Sequence, residues 1–188
     1  MNTLLKANTD RSTLVMPKLR ILTYPDTFLA RPTKPLANID GRVQELIDAM
    51  AETMYQAPGV GLASIQVGWD ESLLIYDIAP RAEGRSLHVV VNPRIVASEG
   101  EMVSEDEGCL SVPDYRADVK RAERVLVEGH DRHGKPVRIE AEGLHAIVLQ
   151  HEIDHLEGRL FIERISSLKR ELYKRRVRKA IRDSEEQL

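Results

Sequence analysis

Apolar positions along this chain follow two different periods, and each predicts its own elements. Val43, Leu46, Ile47, Met50 and Met54 recur at helical spacing. They form one stripe behind the cap candidates Asn38 and Asp40, and Pro58-Gly59 stops the helix. Short runs at Leu73–Ile78, Leu87–Val91, Arg94–Ala97, Val125–Gly129 and Val137–Ile139 read as strands, with hairpin chemistry at Asp131-Arg132-His133-Gly134. A second helix is predicted from near Gly143 to Gly158, a natural left-handed cap. The basic tail reads as a third helix with Leu168, Leu172 and Tyr173 facing inward. Between these, LRILTYPD (Leu19–Asp26) is a short apolar segment stopped by Pro25, followed by loop to Asn38. The acidic cluster Glu99, Glu101, Glu105, Asp106, Glu107 reads as a solvated loop. Antiparallel strands followed by helices indicate an α+β fold. The expected organisation is a loose extension over residues 1–16, a main domain over 17–165 and a basic C-terminal helix over 166–188.

Composition narrows the class. A chain of 188 residues with 42% hydrophobic and 30% charged positions has the profile of one globular domain. One Trp, five Tyr and two Phe leave the core to aliphatic side chains. No apolar run approaches the roughly 18–20 residues that cross a bilayer. A formal charge of −3 argues against a whole-surface nucleic-acid binder. The charge is unevenly spread: from Ile165 onward eight basic residues face four acidic ones. The single cysteine, Cys109, makes no internal disulfide, so a disulfide scaffold is excluded. The first residues show neither a signal-peptide apolar stretch nor an Arg-rich, acid-free transit pattern, so the cytoplasm is the expected compartment.

The chemistry concentrates in QHEIDH, Gln150 to His155. His151 and His155 lie four residues apart, so on a helix both imidazoles point the same way and can hold one metal ion. Glu152 can reach water on such a metal from the side. Leu144, Ile147, Val148, His151 and His155 share one stripe, so a face expected to be buried runs into the two imidazoles. Two histidines leave a tetrahedral site short of a protein ligand. A metzincin would supply a third histidine at position 161, where this chain has Phe161. Three candidates remain: Glu163, Glu171 and Cys109. Glu171 suits a helix-face salt bridge, and a lone cysteine is more often an inert buried residue. Cys109 sits in EGCLS, where Gly108 and the following Pro113 suggest a backbone held close to something.

Three segments in order, GVGLASIQ (Gly59–Gln66), EGCLS (Glu107–Ser111) and QHEIDH with the trailing Leu156 and Gly158, resemble peptide deformylase. The likeness runs from about Leu19 to about Ile165. It implies antiparallel sheets packed around a central metal-binding helix, and removal of the N-formyl group from the formylmethionine of new polypeptides with release of formate. It implies Cys109, His151 and His155 as metal ligands and Glu152 as the acid/base residue. It also implies the Gln66 side-chain amide and the Leu110 backbone N–H as donors to the formyl oxygen. The resemblance favours iron(II), with zinc a common but poorer occupant; the donor set also suits nickel and cobalt. Gly59 and Gly61 let a peptide backbone approach and pair as an added strand, or simply form the turn after the helix. By correspondence Val60, Ile147 and Val148 are candidates for an apolar methionine slot, although core packing explains Ile147 and Val148 equally well. Gly108 and Arg116 complete the candidate substrate contacts, Arg116 toward a substrate carbonyl or in an exposed salt bridge. Glu107 and Asp154 are candidate orienters of the ligands. Ser64 stands where the family usually has alanine, so its hydroxyl needs a hydrogen-bond partner if buried. His88, His130, His133 and His145 belong to no motif and read as ordinary loop, strand or surface histidines.

A zinc peptidase would share His-Glu-x-x-His, but it leaves EGCLS without a task and lacks a downstream third ligand. A non-catalytic ribosome-associated metal module would close the site with four ligands and leave Glu152 and Gln66 unused. Formylated nascent peptides are the expected partners, with a possible ribosome contact through the basic helix.

Overall fold

The computed structural model describes residues 19–186, so the extension read over residues 1–16 lies outside the described residues. Helix α1 (Gly41–Gln56) opens with Asp40, whose carboxylate accepts the Val43 N–H at 3.2 Å. Its stripe Val43, Leu46, Ile47, Met50 and Met54 is buried throughout. Strands β1 (Gly61–Ala63), β2 (Leu73–Tyr76), β3 (His88–Glu99), β6 (Arg124–His130) and β7 (Pro136–Glu142) form one antiparallel sheet in the order β1-β2-β3-β6-β7. Strands β4 (Met102–Cys109) and β5 (Val112–Arg121) form a separate antiparallel hairpin. Helix α2 (Gly143–Leu156) carries QHEIDH, and α3 (Ser167–Glu185) follows it. This is the expected α+β architecture with a central helix and a C-terminal one.

Period-two alternation in the large sheet feeds two cores. Leu62, Leu73, Ile75 and Val91 face α1, whereas Ala63, Leu74, Tyr76, Val90 and Val127 face Ala146, Leu149 and Ile153 of α2. Every residue of β2 is therefore buried, and each such Leu or Ile stabilises the fold by about 1.5–3 kcal/mol. The two runs read around Leu87–Val91 and Arg94–Ala97 are one strand. A bulge between Val91 and Arg94 accommodates Pro93, and the Asn92 side chain there bonds both backbone groups of Leu36.

Two expectations are corrected. Of the acidic cluster expected in a loop, Glu99 ends strand β3 and Glu105, Asp106 and Glu107 lie in strand β4, leaving Glu101 in the turn between them, and Glu107 is buried. Carboxylates are poor strand formers, but here Glu107 is held by ions beneath it and Glu101 pairs with Lys120 across the hairpin at 2.8 Å. In α3 only Tyr173 of the three predicted residues faces inward; Leu168 and Leu172 are 70% and 59% exposed. The helix meets the domain along the Tyr173–Val177 edge, and Arg176 donates to the Asp114 carbonyl at 2.7 Å. One residue is about 100° around a helix, which turns Leu172 to solvent.

Gly158 ends α2 with a φ of 75°, as a left-handed cap should, and its N–H donates to the His155 carbonyl at 3.0 Å. A Cβ there would lie 2.7 Å from the Ala30 carbonyl oxygen. Gly158→Ala should lower unfolding free energy by about 1–2 kcal/mol from the backbone alone, and more from the contact. A urea titration showing no shift in midpoint would contradict this.

Candidate active site

Helix α2 and the β4–β5 hairpin bring the sequence-distant donors together. Ligand atoms of Cys109, His151 and His155 all lie within 4.8 Å of one another. Cys109 Sγ is 3.1 Å from His155 Nε2, and the two imidazole rings stand 5.0 Å apart at a steep angle. His151 Nδ1 is taken by Glu107 Oε1 at 2.7 Å, which leaves Nε2 as its free donor atom. His155 Nδ1 is buried without a partner among the described residues. Bonds of about 2.3 Å to sulfur and about 2.0 Å to nitrogen require donors about 3.5 Å apart in a tetrahedral shell. The cluster is of that size, and a thiol with two imidazoles fits a divalent transition metal. Of the other two ligand candidates, Glu163 sits in the turn after α2 with a carboxylate oxygen 3.5 Å from the Leu160 N–H, and Glu171 pairs with Lys174 on α3. Phe161 is buried and its ring lies 6.2 Å from that of His151, packing where a metzincin would place a ligand.

Glu152 is buried beside the cluster. Among the described residues its Oε2 has no hydrogen-bond partner, and burial pushes its carboxyl up to about 7. Its other oxygen lies against Gly61, where a Cβ would collide with it. The glycine is thus required by the carboxylate as well as being open to a peptide. Gln66 is fixed at both ends. Its Oε1 accepts from the Ala63 N–H at 2.8 Å, and its Nε2 donates to Ser111 Oγ at 3.0 Å and lies 3.7 Å from Cys109 Sγ. Leu110 and Ser111 form the two-residue turn of the β4–β5 hairpin, and the Ser111 N–H donates to Cys109 Sγ at 3.3 Å. The Leu19–Asp26 segment fastens these parts, its Leu22 N–H bonding the Gln66 carbonyl and its Tyr24 N–H the Ser111 carbonyl. Ser64 is buried and donates to the Glu71 carbonyl at 2.6 Å, so its hydroxyl is satisfied.

A cleft of about 820 Å³ opens over this cluster. It is lined by Gly59, Val60, Gly61, Gln66, Gly108, Cys109, Leu110, Arg116, Ile147, Val148, His151 and Glu152. Of the candidate ligands, His155 is absent from this lining, as is the candidate orienter Asp154. Val148 also belongs to the core against the sheet, whereas Val60 and Leu144 are 46% and 59% exposed. Leu144 thus leaves the buried stripe at its solvent end and stands at the rim. Arg116 crosses over Gly108 and donates to the Asp106 carbonyl at 3.1 Å. Among the motif-free histidines, His145 bonds the Tyr76 hydroxyl at 3.0 Å and His88 stacks on the same ring.

Beneath the cluster runs a buried ionic chain. Arg121, its side chain fully buried, donates to both oxygens of Glu107, at 2.6 and 3.2 Å, and to Asp154 at 2.6 Å. Burial alone would raise the Glu107 carboxyl, but hydrogen bonds from His151 and Arg121 hold it down at about 2. Burial likewise disfavours a charged His151, yet its bonds to Cys109 and Glu107 carry it well above the usual imidazole range, while burial drives His155 well below. Sequence reading named Glu107 and Asp154 but missed Arg121. Its signal was present: Ala117, Val119 and Arg121 alternate with Asp118 and Lys120, which puts the arginine on the inward face.

The chain is similar to known proteins over most of its length. A family model described as polypeptide deformylase matches residues 18–171. The peptide deformylase of Desulfosudis oleivorans is 57% identical over 169 residues, covering 90% of this chain and 98% of the relative. The crystal structure of a peptide deformylase from Legionella pneumophila has a TM-score of 0.81 at 45% identity, covering 89% of this chain and 98% of that one. The Met-Ala-Ser-bound class I type b peptide deformylase from Acinetobacter baumannii has a TM-score of 0.73 at 34% identity, covering 80% and 99%. On a matched span from residue 18 through the start of α3, this chain belongs to the polypeptide deformylase family.

Proposed function

We propose that this cleft is where the chain removes the N-formyl group of nascent formylmethionyl peptides, with Cys109, His151 and His155 holding the metal and Glu152 moving the protons. The family's reaction is a metal-dependent amide hydrolysis that releases formate and a free amine. The observation that carries the residue assignment is the meeting of one thiol and two imidazoles, within 4.8 Å, beside a buried carboxylate with an unpartnered oxygen. Iron(II) is the proposed metal, with zinc, nickel or cobalt compatible with the same donors. When bound, such a cation supplies Lewis acidity, lowering the pKa of water and polarising a carbonyl oxygen.

The remaining work falls to side chains of the cleft. Glu152, raised by burial toward neutrality, accepts a proton from water and returns one to the departing amine nitrogen. Negative charge developing on the formyl oxygen is met by the Gln66 amide and the Leu110 N–H. Gln66 suits this role because Ala63 and Ser111 fix its orientation in advance of reaction. Gly59 and Gly61 leave the β1 edge open to an extended peptide, Val60, Ile147 and Val148 offer apolar surface for the methionine, and Gly108 and Arg116 face its backbone. The Met-Ala-Ser peptide held by the Acinetobacter relative begins with the residue this slot would take.

Among the described residues no helix is long and apolar enough to cross a membrane. The substrate class supports work in the cytoplasm, near the ribosome. Lys169, Arg175, Arg178, Lys179 and Arg182 are exposed on α3, and this face is proposed to meet ribosomal phosphate.

Anaerobically purified protein should release formate from formyl-Met-Ala with about one metal per chain. Glu152→Ala should keep the metal and lose about 10²–10⁴-fold in turnover, and Cys109→Ala should lose the metal; full metal content and activity in the latter would contradict the ligand assignment. Gly61→Ala, by displacing Glu152, should cost about 10²-fold in kcat, and unchanged kinetics would show that the carboxylate is not held there. Removing Lys169 onward should weaken ribosome co-sedimentation in a salt-dependent way, and equal sedimentation with and without the tail would refute the contact.

A further inference from the structure

Arg164 follows the short turn Phe161–Glu163 and precedes α3, and no motif includes it. Its guanidinium grips Asp154 with two bonds, Nε to Oδ2 at 2.5 Å and Nη2 to Oδ1 at 2.5 Å. Asp154 Oδ2 also accepts from Arg121 Nη1, Arg121 holds Glu107, and Glu107 Oε1 meets His151 Nδ1. Exposure falls inward along this path, from 38% for the Arg164 side chain to 5%, 0% and 5% for those of Asp154, Arg121 and Glu107. Two carboxylates are thus matched by two guanidiniums. Arg164 is the member that solvent reaches, and it supplies the second positive charge.

We infer that Arg164 is a positioning residue for the active site, acting through Asp154, Arg121 and Glu107 on the orientation of His151; this rests on the metal-ligand reading above. Without Arg164, Asp154 Oδ1 loses its partner and both buried carboxylates compete for Arg121. Arg121 then shifts toward Asp154, Glu107 is held less firmly, and the Nδ1–H bond that aims His151 Nε2 into the cluster slackens. Partners of this kind typically contribute about 10–100-fold in metal affinity or activity when lost. A lysine keeps the charge but cannot reproduce the two-point grip.

The test uses full-length protein loaded with cobalt(II). Cobalt(II) dissociation constants are measured by chelator competition, alongside the visible d–d spectrum, kcat and KM, for wild type, Arg164→Gln and Arg164→Lys. Arg164→Gln should weaken cobalt(II) binding about 10-fold or more, alter the spectrum and lower kcat with KM within about twofold, and Arg164→Lys should recover part of each loss. A folded Arg164→Gln protein with wild-type cobalt(II) affinity and spectrum would overturn the inference, even if its melting temperature fell. Should Arg164→Gln not fold, Arg164→Lys carries the test, since affinity and spectrum identical to wild type would equally overturn it. Failure of the ligand reading itself would look different, because wild-type protein would then show no sulfur-to-cobalt charge-transfer band.

Discussion

Arg121 ties together two parts of the molecule that lie far apart in sequence. It leaves the β4–β5 hairpin, which carries Cys109, and binds both Glu107 of that hairpin and Asp154 of the helix that carries the two histidines. A metal site assembled from a hairpin and a helix needs the thiol placed to within a fraction of an ångström of the imidazoles. Apolar contacts alone, which tolerate small slides, do not impose that. Burying charges costs several kcal/mol per ion unless each is paired, and removing one partner of such a pair costs about 3–5 kcal/mol. The network is therefore costly unless complete, and it is complete only when hairpin and helix are correctly docked.

The same logic extends outward from the cluster. Gln66 is held by Ala63 and Ser111, Glu152 rests against a residue with no side chain, and the Leu22–Tyr24 backbone spans from Gln66 to Ser111. The Gln66 amide thus has its rotation removed beforehand. The apolar cores on either side of the large sheet supply the stability that makes this burial of polar groups tolerable.

Much of this was legible in the sequence where a periodic pattern and a tertiary role coincide. The α1 stripe, its Asp40 cap and the Gly158 stop follow from local rules, and the spacing of His151 and His155 carries its own geometric meaning on a helix. That Cys109 meets the two imidazoles was not derivable from spacing, because a hairpin and a helix distant in sequence declare no distance between them; the resemblance of EGCLS pointed to it. The strand character of β4 is hidden because its acidic residues oppose strand propensity, and the buried Arg121 beneath Glu107 offsets that cost. Leu168 and Leu172 were misread because α3 is anchored by one edge, Tyr173 and Val177, which no periodicity in a basic helix reveals.

The most direct test of the central claim is X-ray absorption spectroscopy at the metal edge of anaerobically purified, catalytically active protein. One sulfur and two imidazole nitrogens, with any remaining donor a solvent oxygen, is the result predicted. A shell without sulfur, or one closed by a fourth protein donor, would contradict the account.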